Sequence, residues 1–204
     1  MVIANVGRPR LVTKKRPGDT VRDEILDAAA ELFSTGGFAS TSTRMIATAV
    51  GLRQASLYHY FSTKDDILEL LLSDTVDEPL AFAERIREST ASSSCKMFAL
   101  TWFDAGQLGA SRWNLGSLYL LPELRNDRFA DFRRKRLRLM AVYADIAEAT
   151  LAELGEPESR GRAELPFRMV ETVVNVRADS EDGRGTIDPD YALVLAEAAV
   201  RSLG

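Results

Sequence analysis

The stretch from Ser42 to Phe61, STRMIATAVGLRQASLYHYF, constrains the fold more than any other part of this chain. Ser42 is a suitable N-cap for a first short helix over about Thr43 to Val50. Gly51 permits the left-handed backbone that a sharp turn needs, and a second short helix ending in aromatic residues follows it. This order of signals predicts two helices joined by a tight turn, which is a helix-turn-helix.

The side chains of this stretch divide into an inner and an outer set. The apolar residues expected to face inward are Met45, Ile46, Ala49, Val50, Leu57 and Phe61. The outer set carries amide, hydroxyl and phenol groups and no acidic side chain, which suits phosphates and base edges. Because the second helix of such a motif lies in the major groove of DNA, we predict a DNA-binding surface here.

The wider window from Val21 to Leu72 resembles the DNA-binding domain of the TetR family of bacterial transcription regulators. The motifs that carry the resemblance are ILDAAAELF, a glycine turn followed by Phe38, the Thr-Arg-x-Ile-Ala start of the second helix, and LYHYF followed by Lys64. Helical periodicity recurs along the whole chain, and Val, Ile and Thr do not alternate over any long stretch. We therefore expect an all-α fold of about nine helices. It has an N-terminal three-helix helix-turn-helix domain and a larger C-terminal helical domain for ligand binding and dimerisation.

Two residues of the motif are the expected base readers. Arg44 lies in the first turn of its helix, where the helix dipole disfavours a cation unless an anion or a guanine edge is close. Gln54 matches the family position that reads bases, and glutamine pairs naturally with adenine. Lys64 matches a lysine that contacts the DNA backbone in similar proteins. The full set of expected DNA contacts is Thr43, Arg44, Arg53, Gln54, Ala55, Ser56, Tyr58, His59, Tyr60 and Lys64.

Charge divides the chain in the same way. Residues 1–65 hold nine Lys or Arg and six Asp or Glu, so with a net charge of −4 overall this part carries +3 and the remainder −7. We call residues 1–65 the head and the remainder of the chain the body. A positively charged head on an acidic body directs one end of the molecule toward a polyanion. We expect a basic arm over 1–19, a DNA-binding domain over 20–65 and a ligand-binding and dimerisation domain over 66–204. The arm is either a solvated tail or a contact to phosphates or the minor groove.

Apolar periodicity, capping residues and helix-breaking residues predict the remaining helices. The predicted helices cover about 20–35, 43–50, the second short helix of the motif, 64–88, 92–108, 112–121, 123–154, 165–179 and 190–203. Pro79 predicts a kink or break in the fourth of these, and Asp188-Pro189 an N-cap and first residue for the last.

Similar proteins hold a small-molecule pocket and a dimer interface in the body. The aromatic-rich body suggests Met97, Trp102, Trp113 and Tyr143 as lining residues for a partly apolar ligand. The expected interface of a homodimer is Val170, Val174, Tyr191, Val194, Leu195 and Ala198.

No enzymatic or membrane role is expected. The sequence contains one histidine, one cysteine, no Gly-rich phosphate loop and no nucleophile elbow, so we expect neither a metal nor another cofactor. No apolar run is long enough to span a bilayer, and the single cysteine fits the cytoplasm.

The function favoured by these observations is a sequence-specific DNA-binding transcription regulator. In this interpretation it is a repressor that a small molecule releases from a near-palindromic operator, whose half-sites lie about 34–36 Å apart. One alternative is an architectural or protein-regulated DNA-bound factor without a small-molecule inducer. Another is an enzyme with an attached helix-turn-helix, which would need a catalytic constellation in the body.

Overall fold

A computed structural model describes residues 16–179, 187, 188 and 190–204 of the chain, and this part is helical without strands. The α-helices are α1 (Val21–Gly36), α2 (Thr43–Ala49), α3 (Gln54–Leu57), α4 (Lys64–Arg87), α5 (Ser93–Ala110), α6 (Ala130–Glu153), α7 (Arg160–Ala178) and α8 (Tyr191–Arg201). Three short 3₁₀ segments, Leu115–Leu120, Pro122–Arg125 and Asp127–Phe129, connect α5 to α6. The all-α prediction is confirmed.

The N-terminal helices α1, α2 and α4 begin close to their predicted starts, because capping residues define these starts locally. Thr20 caps α1 in a reciprocal capping box with Asp23, and Thr63 does the same for α4 with Asp66. The Ser42 side chain accepts a hydrogen bond from the Met45 backbone nitrogen and so begins α2. These caps act within three residues of each helix start, which is why the sequence could place the starts.

The long helix α4 leads from the head into the body. It continues without a break through Pro79, so the predicted break is absent. Pro79 is buried, and α4 packs along α6 over much of its length. Such packing can hold a helix together at a position where proline removes one backbone hydrogen bond.

The connection between α5 and α6 differs from its prediction. Instead of an α-helix over 112–121 the chain forms a 3₁₀ helix over Leu115–Leu120, and α6 begins at Ala130 rather than near Glu123. A Cβ at Gly116 would overlap a methyl carbon of Val174, so this segment runs in close contact with α7. The fit to α7 therefore decides its path.

The last two helices also differ from prediction at their starts. α7 begins at Arg160, earlier than predicted, because Ser159 caps it and Pro166 is accommodated inside the helix. The N-cap of α8 is Asp190 rather than Asp188. Pro189, the loop 181–185 and the arm up to residue 15 lie outside the described residues.

Two hydrophobic clusters form the interior. The first joins the buried faces of α1–α4 to residues that come much later in the chain, namely Trp113, Leu118, Leu124, Phe129 and Phe132. The second fills the space between α4 to α8 and includes Met97, Leu100, Tyr143, Phe167 and Val173. The core of the head thus crosses the boundary placed at residue 65, because the segment between α5 and α6 packs on it.

No helix in the described ranges has both the length and the apolar character needed to cross a membrane.

Candidate nucleic-acid interface

The turn between α2 and α3 has the geometry that its glycine predicts. Gly51 has a φ of 69°, in the left-handed region, and its backbone nitrogen donates to the Thr48 carbonyl at 3.1 Å. The α3 helix contains only four residues. Hydrogen bonds from the Tyr60 and Phe61 nitrogens to the Leu57 carbonyl continue the helical path beyond it. Leu57 and Phe61 are buried, so they anchor α3 against the head.

The two short helices present one polar surface, here called the reading face. It consists of Thr43, Arg44, Arg53, Gln54, Ala55, Ser56, Tyr58, His59 and Tyr60. Seven of these side chains are exposed, and Thr43 and Ser56 are half-buried. No acidic residue lies between Ser42 and Ser62, so a polyanion approaching this face meets no like charge from it.

Three side chains of the reading face form a hydrogen-bonded group that joins α2 to α3. The Gln54 amide nitrogen donates to the Thr43 hydroxyl at 2.9 Å and to the Tyr58 phenol oxygen at 3.3 Å. The Thr43 and Tyr58 oxygens are themselves 3.3 Å apart. The bonds from Thr43 and then Gln54 lower the pKa of Tyr58. Since these groups orient one another, the face is partly ordered before any ligand arrives.

Lys64 is placed differently from the other predicted contacts. Its ammonium donates to the Phe38 carbonyl at 2.6 Å and to the Thr41 carbonyl at 2.9 Å, and it lies 4.1 Å from the centre of the Phe38 ring. Two of the three donors of the ammonium are therefore used inside the head. Lys64 thus holds the loop before α2, and the phosphate contact predicted for it stays a prediction.

Two further residues of the head differ from expectation. Met45 was assigned to the buried face of α2, but 46% of it is exposed, because the turn of α2 directs it beside Arg44. Arg16 belongs to the predicted basic arm, yet its guanidinium lies on α1 and α2, where it pairs with Asp27 and Glu31 and donates to the Ala49 carbonyl. These internal acceptors remove Arg16 from the cations available to phosphate.

Asp27 of α1 connects the head to the body. Its carboxylate accepts hydrogen bonds from Arg16 at 2.9 Å, Arg112 at 3.0 Å and the Trp113 indole nitrogen at 2.9 Å. Only 12% of the Asp27 side chain is exposed. We call this group the Asp27 junction. Its body partners lie 85 and 86 positions further along the chain, and neither could be identified from sequence.

The body segment that supplies Arg112 and Trp113 is also tied to α7. The Arg177 guanidinium donates to the carbonyls of Leu108 and Ser111, the latter at 2.6 Å. The Asn114 amide nitrogen donates to the Val174 carbonyl at 2.8 Å. The segment from residue 111 to residue 116 therefore contacts α7 on one side and α1 on the other.

The four residues predicted to line a ligand pocket do not meet in one cavity. Met97 and Tyr143 are buried in the second cluster, where Tyr143 donates to Asp104 at 3.0 Å. Trp113 belongs to the cluster of the head, and 54% of Trp102 is exposed on α5. Aromatic content does not reveal which face of each helix turns inward, and the structure does not bring these four side chains together.

The structure instead contains a cavity of about 530 Å³ between the segment Leu115–Leu120, α6 and α7. Arg136, Arg168, Glu171 and Asn175 provide polar groups to it, and Tyr119 and Val174 provide apolar surface. A space of about 20 Å³ lies deeper, beside Asp104, and also borders Tyr119, Arg136 and Glu171. It has room for about one water molecule. We call the larger space the α6–α7 cavity.

The residues predicted for a dimer interface fall into two groups. Val170 and Leu195 are buried within their own subunit and are not available to a partner, which corrects that part of the prediction. Val194 is 57% exposed, whereas Val174, Tyr191 and Ala198 are half-buried. Exposed apolar residues that the prediction missed are Leu165, Val176 and Leu193.

The described ranges contain no cluster of three His, Cys, Asp or Glu side chains that could hold a metal ion.

Comparison with known proteins matches both the head and the whole fold. The family model of bacterial regulatory proteins, tetR family, matches residues 25–71. The crystal structure of AmtR from Mycobacterium smegmatis is 53% identical, superposes with a TM-score of 0.88, and is aligned over 94% of this chain and 90% of that one. The transcriptional repressor KstR2 of Rhodococcus jostii is 28% identical over 82% of this chain and 83% of its own length. The structure of KstR2 from Mycobacterium tuberculosis, 21% identical with a TM-score of 0.73, shares the fold.

A three-helix head with an exposed polar reading face, carried on a larger helical body, defines a helix-turn-helix transcription regulator. With the family model matched across the head and AmtR matched across nearly the full length, the chain belongs to the TetR family of bacterial regulatory proteins.

Proposed function

We propose that this regulator is a repressor that binds a near-palindromic operator through the reading face. The observation that carries the proposal is the exposed polar surface of α2 and α3, on which Arg44 and Gln54 present groups suited to base edges. Thr43, Tyr58 and Tyr60 carry hydroxyls suited to phosphates, and Arg53, Ala55, Ser56 and His59 complete the contact surface. Repression is the activity named for the KstR2 relative.

Replacing Arg44 or Gln54 by alanine removes a group that can pair with a base edge. Each replacement is expected to weaken binding to the specific operator by about 1–3 kcal/mol. The measurement is a gel shift on the operator, located first by footprinting the DNA that flanks the gene. Tyr60→Phe removes a hydroxyl suited to phosphate from an exposed residue outside the group formed by Thr43, Gln54 and Tyr58, and should weaken binding to all sequences alike.

Arg160→Ala is a suitable control for these variants, because its side chain is 92% exposed at the far end of the body. Unchanged affinity and base preference in both Arg44→Ala and Gln54→Ala would show that the reading face has been assigned to the wrong residues.

A homodimer through α7 and α8 is the second part of the proposal. The two helices pack side by side, with the Thr172 and Tyr191 hydroxyls 3.2 Å apart. Their outer surfaces expose Val176, Leu193 and Val194. Exposed apolar side chains on two helices that pack side by side suit an isologous contact with a second copy. Two copies would place two reading faces on the two half-sites.

Val194→Asp is expected to shift the protein from dimer toward monomer at micromolar concentration, since it would place a charge in the apolar contact. Sedimentation velocity measures this change. Leu137→Asp is a matched control, because Leu137 is 62% exposed and belongs to α6 rather than to α7 or α8. A wild-type protein that sediments as a monomer, or a Val194→Asp variant that sediments like the wild type, contradicts the interface.

Release from the operator by a small molecule is the third part, and the α6–α7 cavity is the proposed binding site. Its volume lies within the usual range for small-molecule sites. Gly116 lines this cavity, and the segment that contains Gly116 also carries Arg112 and Trp113 of the Asp27 junction. A ligand that favours one position of this segment would bias the position of α1, and with it the spacing of two heads that read DNA in the cytoplasm.

A further inference from the structure

The charges around the α6–α7 cavity are not balanced. Its lining contains two arginines, Arg136 and Arg168, and a single acidic residue, Glu171. Both guanidinium groups pair with the carboxylate of Glu171, Arg136 through one oxygen and Arg168 through the other at 2.7 Å. With one carboxylate shared by two cations, the lining keeps one net positive charge.

Arg136 lies against two aromatic rings and uses one of its terminal nitrogens to pair with Glu171. Its guanidinium carbon lies 5.4 Å from the centre of the Tyr119 ring and 5.3 Å from that of Phe167, so the group is fixed between two aromatic rings. Its Nε is buried without a hydrogen-bond partner among the described residues, and its Nη1 makes a weak contact with the Met140 sulfur at 3.9 Å. The guanidiniums of Arg136 and Arg168 each have five N–H donors and share one carboxylate, so donors at the cavity remain for a ligand oxygen.

The surroundings of these donors limit the chemistry of a ligand. Tyr119, Leu120 and Val174 supply apolar surface next to the arginines, which suits a hydrocarbon body. Arginine matches the planar, two-oxygen geometry of a carboxylate. One negative charge neutralises the lining, whereas a second would be repelled by Glu171.

We propose that the α6–α7 cavity binds a small organic monocarboxylate, with its charged end at Arg136 and Arg168 and its apolar end along Tyr119 and Val174. Binding of the carboxylate can be measured without DNA. Only its consequence, release of the protein from DNA, rests on the proposed function.

The test uses 4-phenylbutyrate as the probe, with 4-phenylbutanol, 4-phenylbutylamine and phenyl phosphate as partners of altered charge. Isothermal titration calorimetry on the full-length protein at neutral pH measures affinity for each. We expect 4-phenylbutyrate to bind most tightly and Arg168→Gln to weaken its binding about tenfold, the loss of one charge-assisted contact at a half-exposed site. Arg160→Gln, on the same helix but outside the cavity, should bind like the wild type.

Several results would overturn the assignment. They are equal or tighter binding of the alcohol, the amine or the phosphate, an unchanged affinity in Arg168→Gln, and no binding of 4-phenylbutyrate at millimolar concentration. Arg168 is exposed enough that its replacement leaves the fold intact, and a thermal melt of the variant checks this. Operator binding by the unliganded protein in a gel shift separates a failure of this assignment from a failure of the proposed DNA-binding role.

Discussion

Replacing Asp27 by alanine is expected to lower the free energy of unfolding by about 3 kcal/mol. The carboxylate accepts hydrogen bonds from Arg16, Arg112 and Trp113, and it is 12% exposed. Removing a largely buried carboxylate takes a charged acceptor from three donors at once, although Arg16 keeps its pair with Glu31. The expected value lies at the low end of the range for buried pairs because the Arg112 side chain is 48% exposed.

Urea unfolding at one fixed protein concentration measures this change, since a dimer's apparent stability depends on concentration. Asp27→Asn keeps an acceptor for Trp113 but loses the charge, so a smaller loss is expected. Asp145→Ala is the matched control, because Asp145 is also an aspartate within a helix but makes one exposed ion pair, to Arg87 at 3.8 Å. Equal losses in Asp27→Ala and Asp145→Ala would show that the Asp27 junction contributes no special stability.

The Asp27 junction also offers a test of the proposed regulation. Asp27 is the point where α1 meets the segment that walls the α6–α7 cavity, and Arg16 links the same carboxylate to the end of α2. If this contact carries the ligand signal, Asp27→Asn will still bind operator and 4-phenylbutyrate, but the ligand will change operator affinity less than in the wild type. If the ligand changes operator affinity as much in Asp27→Asn as in the wild type, the signal passes from body to head along α4 instead.

The second large effect concerns Asp104 and pH. Burial raises the pKa of Asp104 to about 7. The hydrogen bond from Tyr143 lowers this pKa, the nearby Glu171 carboxylate raises it, and the Arg136 guanidinium lowers it. The native state therefore keeps a proton on Asp104 at pH values where the unfolded chain has released it. A raised native pKa means that this contribution to stability is complete below the ordinary value of 3.8 and is lost as pH rises through about 7.

The wild-type protein is expected to lose about 1.4 kcal/mol of stability per pH unit from this group between pH 5 and pH 7, and nothing further well above pH 7. Asp104→Asn removes the titration and keeps an acceptor for the Tyr143 hydroxyl, so it should be more stable than the wild type at pH 8. The measured quantity is the difference between the two unfolding free energies across this pH range, which cancels the titration of all other groups.

The matched comparison is Asp145→Asn, the same change at an exposed aspartate of α6. Parallel profiles for the wild type and Asp104→Asn would mean that Asp104 is ionised in the native protein across the whole range.

The helix-turn-helix was predictable because its determinants are local. Ser42, Gly51 and the pair Thr63 and Asp66 act on backbone groups within a few residues of themselves. The resemblance to the TetR family rests on these local motifs, and it therefore also predicts which residues belong to the reading face. Arg44, Gln54 and Tyr58 are exposed on it as expected, and sequence alone was sufficient to place them there.

The remaining features depend on residues that are distant in the chain. Lys64 turns inward because the carbonyls of Phe38 and Thr41 are close enough to accept from it. Trp113 lies in the head because Asp27 accepts its indole hydrogen, and the path of its segment depends on contact with α7. Periodicity reports how apolar residues are spaced along one helix, but not which neighbour that helix meets.

The sequence by itself therefore determined the class of protein and the exposed polar surface that is proposed to read DNA, since caps, turns and amphipathic spacing are properties of short stretches. Only the tertiary structure decided where the body has a cavity, which arginines face it, and which contact joins that cavity to the head. Those features arise where α1, α6, α7 and the segment between α5 and α6 meet, and the packing of these elements sets each distance.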